Sequence, residues 1–490
     1  MRTIQLLTKA GLLIDTLADG PSTHAELAKQ IDEPRSSIYR LTSSLEEAGF
    51  VHITSDGLLS LGVSILHLGD SAVDALVNRS LLREHLTWIR DQLGMTAYFC
   101  STNSEQIMCL DKQEGADIDL MYLAPGQILP HDRGAIAHAI NGDRQVGIDH
   151  EELATGVSSI AVPVITAQGE LVGAVAVAGL RTHIESAIDT IRETLTTSAR
   201  TISNFPPISA MPAPPLREEE KTTSVITKAA MVLRVIRAEK HVTSSRIAEV
   251  LGEPISSVYR MLHTLTTIGW VEQDGKRGAY QVGLKMLTLA NHQLIHMDLR
   301  TIVTPTMRNI HARTGETTFL CVRHATRAVC IDRIDGLRVN SRVLQLGTAL
   351  PLHVGAAPRT LLAFEGRKAW EAYATSLGFE GHNWSQGPSR AELFDILNTD
   401  REQGFCLVDS EVTPGIAAVG APIFNHRNEV IASLSVSGLR EGILQGINGH
   451  HVVDLVVDGA REISETLGAT VKPSGGRNFS PHTPAASTVV

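Results

Sequence analysis

Apolar residues between positions 225 and 290 recur at helical spacing and then switch to short runs. Ala229, Val232 and Ile236 predict a first helix. Thr243 has the side chain of a helix N-cap, and the helix it opens carries Ile247, Ala248 and Leu251. Gly252 follows where a left-handed turn is needed. Pro254 suits the first turn of a third helix, where its missing N–H costs nothing. That helix turns Val258, Leu262 and Leu265 inward and ends at Gly269. Trp270-Val271 and Ala279–Val282 then predict two strands around the hairpin Asp274-Gly275-Lys276-Arg277-Gly278, a wing. This is a winged helix-turn-helix, whose last helix is the one that enters a DNA major groove.

The same pattern stands at the start of the chain. Glu33-Pro34-Arg35-Ser36-Ser37-Ile38-Tyr39-Arg40 recurs as Glu253-Pro254-Ile255-Ser256-Ser257-Val258-Tyr259-Arg260. Further pairs follow in order: Cys100 and Cys109 with Cys321 and Cys330, Gly134-Ala135 with Gly355-Ala356, and the run from Val175 to Arg181 with that from Leu434 to Arg440. A repeat in constant order over so long a span is a duplication. Its copies differ in length. Ala135 to Ala178 spans 43 residues and Ala356 to Ser437 spans 81, so the first copy lacks about 38. The missing stretch corresponds to roughly 360–400, where Leu361, Leu362, Trp370, Tyr373, Leu393 and Ile396 predict helices.

The expected organisation is a winged helix over 1–70, a shortened second domain over 71–205 and a linker over 206–221. The second winged helix follows over 222–290, a full second domain over 291–470 and a disordered tail over 471–490. Five closely spaced prolines followed by charges mark the linker, and Pro, Gly, Ser and Thr content marks the tail. After each wing, Ile65, Leu68 and Ala72, and likewise Leu284, Leu287 and Ala290, predict a connecting helix. In the second copy Thr317–Val322 with Ala328–Ile331, and Ala421–Asn425 with Val430–Val436, predict strand pairs. The fold class is therefore α+β and multidomain, with helices expected on one face of the sheet.

Charge separates the copies. The chain carries a net −10, which argues against a general coating of nucleic acid. Residues 1–68 hold five Lys and Arg against eight Asp and Glu, whereas 222–290 hold nine against five. The outward residues of the second recognition helix are Ser256, Ser257, Tyr259, Arg260 and His263, with Lys276 and Arg277 on the wing. Hydroxyls and guanidinium suit phosphates and base edges. The first copy offers Arg35, Ser36, Ser37, Tyr39 and Arg40, but its wing tip, Ser55-Asp56-Gly57, has no basic residue.

These motifs resemble the IclR-type (isocitrate lyase regulator) family of bacterial transcription factors. The resemblance is carried by Ser256-Ser257, Arg260, Leu262, Leu265, Gly269-Trp270-Val271 and Gly283-Leu284. Downstream, Ile416-Ala417-Ala418, Ala421-Pro422-Ile423 and Leu434–Gly438 resemble its effector-binding domain. It spans nearly the whole chain, twice, and the second copy follows it closely. Thr42 departs from it, standing where the family favours leucine. The resemblance implies a GAF-like α+β sensing domain, a connecting helix that pairs winged helices, and an effector pocket. That pocket would be lined by Gly355, Ala356, Asp409, Glu411, Ile416, Ala418, Ser435 and Ser437. Alternation in the strand independently puts the Ser435 and Ser437 hydroxyls on one side. The first copy has Ala176 and Ala178 there, so its sensing domain is expected to serve as a scaffold.

The partners implied are operator DNA and a small organic effector, with a homo-oligomer or an intramolecular pseudo-dimer as the assembly. A co-regulator whose first winged helix no longer touches DNA is the alternative. No cofactor, metal or membrane association is expected. The five cysteines form no C-x-x-C pair, His450-His451 stands alone, and His131-Asp132-Arg133 is not repeated in the second copy. No sequence signature of an enzyme is present. No signal peptide is read at the N-terminus, and the cytoplasm is the expected compartment.

Overall fold

The structure is a computed structural model that describes residues 3–54, 56–102, 106–116, 120, 123–142, 145–205, 211, 224–274, 278–338, 343–376, 388–447 and 451–470. Lys276, Arg277, Ser55, His450, the terminal tail and nearly all of the expected linker lie outside these residues. The chain divides into two compact units, 1–297 and 298–490. The second winged helix thus clusters with the first copy rather than with its own sensing domain.

Each winged helix has the three helices and the two wing strands that its sequence predicts. In the first, α1 (Gln5–Leu17), α2 (His24–Gln30) and α3 (Arg35–Glu47) precede the wing strands β1 (Val51–Ile53) and β2 (Leu59–Leu61). Thr23 closes a capping box with Glu26 at the start of α2. A connecting helix α4 (Val63–Asp74) follows.

The first sensing-like domain adds α5 (Arg79–Leu93), β3 (Thr96–Thr102), β4 (Ile107–Gln113), β5 (Ile128–Leu129), α6 (Ala135–Asn141), β6 (Gly147–His150), β7 (Val157–Ile165), β8 (Leu171–Leu180), α7 (Arg181–Ser186) and α8 (Ile188–Ser203). The sheet order is β5-β4-β3-β8-β7-β6, antiparallel throughout.

The second winged helix is α9 (Val225–Glu239), α10 (Ser244–Leu251), α11 (Ile255–Thr267), β9 (Val271–Gln273) and β10 (Tyr280–Val282), with α12 (Lys285–His296) as its connecting helix. Thr243 caps α10, and Gly252 takes the left-handed conformation after it (φ +64°). Pro254 is the N-cap of α11 rather than a residue of its first turn.

The second unit repeats the sensing topology with α13 (Leu299–Thr314), β11 (Thr317–His324), β12 (Arg327–Ile334), β13 (Ala349–Pro351) and α14 (Ala356–Ala363). Next come α15 (Arg367–Ser376), α16 (Arg390–Gln403), β14 (Cys406–Asp409), β15 (Ile416–Phe424), β16 (Val430–Leu439), α17 (Arg440–Gln445) and α18 (Val452–Thr466). The order β13-β12-β11-β16-β15-β14 matches the first sheet strand for strand. Helices α15 and α16 are the segment absent from the first copy.

One expectation is corrected. Helices cover both faces of each sheet. In the second unit α14 packs on the face holding Phe319 and Cys321, whereas α18 reaches the opposite face, where Gly459 meets Leu434 and Ser464 accepts from the Phe424 N–H. The reason lies in the central strands: Ala432–Val436 and Gly173–Gly179 are buried at every position, which requires cover on each side.

Candidate DNA-reading heads and sensing site

The two winged helices pack against each other through α4 and α12 and through α1 and α9. Residues at the same position of the repeat meet. Phe50 stacks on its equivalent Trp270, with ring centroids 5.1 Å apart. Gly69 faces its equivalent Ala290 so closely that a Cβ on Gly69 would lie 2.6 Å from the Ala290 Cβ. Contact of like with like is the mark of a two-fold interface, here between two halves of one chain. Polar contacts tie the interface further: Lys285 Nζ to Asp15 Oδ2 at 2.7 Å, and Gln293 Nε2 donating to the Leu61 carbonyl at 3.0 Å. The pairing is not symmetric throughout. Ile268 fits against Gly11 on one side. On the other, Ala48 and Ser64 replace Ile268 and Lys285, and a cavity of about 280 Å³ remains beside Met231, Arg234 and Arg237.

The recognition helices α3 and α11 present the same face. Arg35, Ser36, Tyr39 and Arg40 are exposed and Ser37 is half-buried; Ser256, Tyr259, Arg260 and Ser257 repeat this in the second copy. His263 is half-buried one turn beyond Tyr259. Inward, Ile38, Leu41 and Leu45 anchor one helix, and Val258, Met261, Leu262 and Leu265 the other.

The first head differs in one detail that explains its departure at Thr42. This threonine is buried, and its hydroxyl donates back to the Ile38 carbonyl at 3.0 Å, while His24 Nε2 lies 3.2 Å away. The His24 ring stacks on Tyr39 with centroids 4.0 Å apart, and burial holds its pKa below the usual histidine value. Tyr39 thus has one face covered, although it is still 56% exposed.

In the second unit the residues of the expected effector pocket fall mostly between α14 and the sheet. Gly355 is the N-cap of α14 in a positive-φ conformation (+81°), and Gly355 and Ala356 are buried. Strand register sets Ser433 beside Pro422, Ser435 beside Gly420 and Ser437 beside Ala418, all on the face toward α14. Ile416 shares that face by alternation and, like Ala418 and Ser437, is part-exposed. Ser433 was not singled out from sequence, yet the run Ser433-Leu434-Ser435-Val436-Ser437 carries the same alternation. The hydroxyls of Ser433 and Ser435 are buried with no hydrogen-bond partner in the protein. A buried hydroxyl left unpaired costs roughly 1–3 kcal/mol, so a ligand that bonds it is favoured.

The acidic residues expected there are placed differently. Glu411 sits at the start of α14, accepting from the Gly355 N–H at 3.2 Å and from Arg359 at 3.1 Å. Arg359 is buried, and its Nε donates to Asp400 of α16 at 2.6 Å. Asp409, by contrast, pairs with Ala417, itself the partner of Gly438, on the opposite face of the sheet, where both its oxygens accept from Arg440 at 2.8 Å. Its carboxylate is held away from the serine row, because alternation turns position 409 the other way from Val408.

In the first copy Glu152 stands where Glu411 does, accepting from the Gly134 N–H at 2.7 Å and bonding His138 at 2.8 Å. The rest of the site is closed. Ala174, Ala176 and Ala178 replace the three serines and are packed with Tyr98, Cys100 and the α6 alanines into one apolar cluster. With no α15 and α16, α6 runs on to β6, and Gly147 lies directly against the α6 backbone.

Among the described residues no group of His, Cys, Asp and Glu could hold a metal ion, and no helix is long and apolar enough to cross a membrane.

Comparison with known proteins agrees with the duplication. The family model for the IclR helix-turn-helix domain matches residues 6–53 and 225–275, and that for the bacterial transcriptional regulator IclR C-terminal region matches 131–204 and 291–465. The chain is 28% identical over 253 residues to the HTH-type transcriptional regulator KipR of Bacillus subtilis, a span that is 51% of this chain and all of KipR. It is 25% identical to the HTH-type transcriptional repressor AllR of Escherichia coli over 52% of this chain and 94% of AllR. Among solved structures, Thermotoga maritima IclR is similar at 26% identity and a TM-score of 0.32, covering 50% of this chain and 98% of that one. These relatives are regulators, not enzymes, and each spans about half of this chain.

Proposed function

The chain belongs to the IclR family of bacterial transcriptional regulators, and from that premise we propose that one chain is a complete operator reader. Its two winged helices act as a pseudo-dimer on two half-sites about one helical turn, or a multiple of it, apart. The observation that carries this reading is the contact of like with like at Phe50–Trp270 and Gly69–Ala290. The half-sites are related but not identical, since Arg35 on one recognition helix faces outward where the other has Ile255.

A small organic carboxylate on the C-terminal sensing sheet modulates operator binding. Two features support this. Ser433 and Ser435 offer unpaired buried hydroxyls, and the first turn of α14 already receives a carboxylate, that of Glu411. The first sensing-like domain, with alanines in that row, is a scaffold. One effector therefore binds per chain. As an operator reader the protein works in the cytoplasm.

The test uses the full chain with duplexes from the region upstream of its own gene, in a salt series. One chain per two half-sites is expected, with Arg40→Ala and Arg260→Ala each weakening binding about 5- to 150-fold, as loss of one good base or phosphate contact implies. A second reading, a first head that contacts a protein partner instead, is favoured by its net acidity and by His24 covering Tyr39. It predicts that Arg40→Ala changes nothing and that two chains occupy each operator.

A further inference from the structure

None of the five cysteines is in a disulfide, and four of them stand in two facing pairs. Cys100 is the cross-strand partner of Cys109 between β3 and β4, and Cys321 that of Cys330 between β11 and β12. In an antiparallel ladder, facing residues alternate between hydrogen-bonded and non-hydrogen-bonded sites, and at the latter the Cα atoms approach to about 4.5 Å. The backbone shows which site this is. The Cys330 N–H donates to the Thr348 carbonyl at 3.1 Å, and its carbonyl accepts from Gly347 at 2.8 Å. The Cys109 N–H donates to the Gln127 carbonyl at 2.9 Å, and its carbonyl accepts from Gly126 at 2.7 Å. Both backbones therefore bond away from the partner cysteine, and both pairs occupy non-hydrogen-bonded sites. That Cα separation lies inside the roughly 4.4–6.8 Å window of a disulfide.

A register shift falls immediately before the first cysteine in both sheets, between Phe99 and Cys100 and between Leu320 and Cys321. The two copies differ around the pairs: Ala174 stands where the second copy has Ser433, and Met95 where it has Glu316. We propose that each sheet holds a thiol–disulfide modification site, Cys100–Cys109 and Cys321–Cys330, which a peroxide closes into a covalent cross-strand link.

The chemistry balances within each pair. One thiolate attacks a peroxide oxygen, the O–O bond breaks, and a sulfenic acid forms as water leaves. The facing sulfur then displaces the sulfenic oxygen as a second water. Two thiols and one hydrogen peroxide become one disulfide and two waters. In the second copy the neighbouring Cys321 thiol lowers Cys330 from the ordinary thiol value, and the Cys330 thiol donates to the Asp332 carbonyl at 3.3 Å. Cys321 is also the register neighbour of Ser433, so closure ties the hairpin beneath the serine row.

The test is oxidation of the full native chain with hydrogen peroxide, then alkylation by N-ethylmaleimide in denaturant and mass analysis. The reduced chain takes up five equivalents and the oxidised chain one, on Cys406, with dithiothreitol restoring five. Non-reducing peptide maps link 321 to 330 and show an internal link across 100–109. Cys330→Ala, a small substitution that keeps an apolar core residue, leaves two equivalents after oxidation, on Cys321 and Cys406. Five equivalents after exposure that fully oxidises a control dithiol peptide, or links between other cysteines or between chains, would overturn the proposal.

Discussion

Gly69 and Ala290 occupy the same position of the repeat and touch each other where α4 crosses α12. A side chain at Gly69 has nowhere to go, since its Cβ alone would come within 2.6 Å of the Ala290 Cβ and 3.1 Å of the Met286 carbonyl. Gly69→Leu therefore forces the helices apart. Overpacking of this kind costs typically 1–3 kcal/mol. The expected outcome is a lower urea midpoint for the first unit and loss of binding to a two-half-site duplex, with single half-site binding retained. Unchanged two-site binding by Gly69→Leu would show that head pairing does not set operator affinity.

Trp270 supplies a second test of the same interface. It is fully buried against Phe50, and its indole N–H has no hydrogen-bond partner. Trp270→Ala removes a large buried side chain and should cost about 3–5 kcal/mol. Trp270→Phe installs the residue that the first copy uses, and removes the orphaned N–H. Its lost packing and its relieved desolvation oppose each other, so the net change in an equilibrium urea titration should stay within about 1.5 kcal/mol.

Glu411 occupies the first turn of α14, the place an effector carboxylate would take, and Arg359 is held independently by Asp400. Glu411→Gln should raise the affinity for small carboxylic acids several-fold, measured calorimetrically across a panel, because the resident charge is removed. Ser435→Ala should lower it. A fall in affinity with Glu411→Gln would instead make Glu411 a direct ligand contact.

The heads were almost fully legible in sequence, because caps, left-handed turns and the three–four spacing are local signals. Thr243, Gly252 and the inward row Val258, Leu262 and Leu265 all fall where expected. The serine row was half legible. Ser435 and Ser437 are legible from the resemblance and from alternation and Ser433 is not among them, and the burial of Ser433 and Ser435 depends on α14, which lies far away in sequence. Asp409 shows the limit of reading a site by residue type: one residue of register decides which face a strand side chain takes, and the sheet turns it toward Arg440. The pairing of the heads was legible only as one of two possible assemblies. It rests on shape at Gly69 and Phe50, and neither residue announces a partner in the other copy.

Glu316 carries the last prediction. It lies immediately before β11, just after the left-handed Gly315, and is fully buried over Gly438. Neither carboxylate oxygen has a hydrogen bond, and the Arg338 guanidinium, 3.6 Å away, is half exposed. The first copy has Met95 here, packed over Gly179. Burial raises the Glu316 pKa above its ordinary value of 4.5, with Arg338 opposing. A carboxyl raised in the folded state binds its proton more tightly there than in the unfolded chain. Its ionised form therefore destabilises the fold at pH values above the raised pKa, and this cost fades as pH falls toward 4.5. Glu316→Met should stabilise the second unit by about 1–3 kcal/mol near pH 7.5, the scale of an unpaired buried polar group. The gain should shrink on acidification to pH about 5 in parallel urea titrations. A gain that does not change with pH would mean that packing, not ionisation, separates methionine from glutamate at this position, and a loss would mean that Arg338 more than compensates the buried charge.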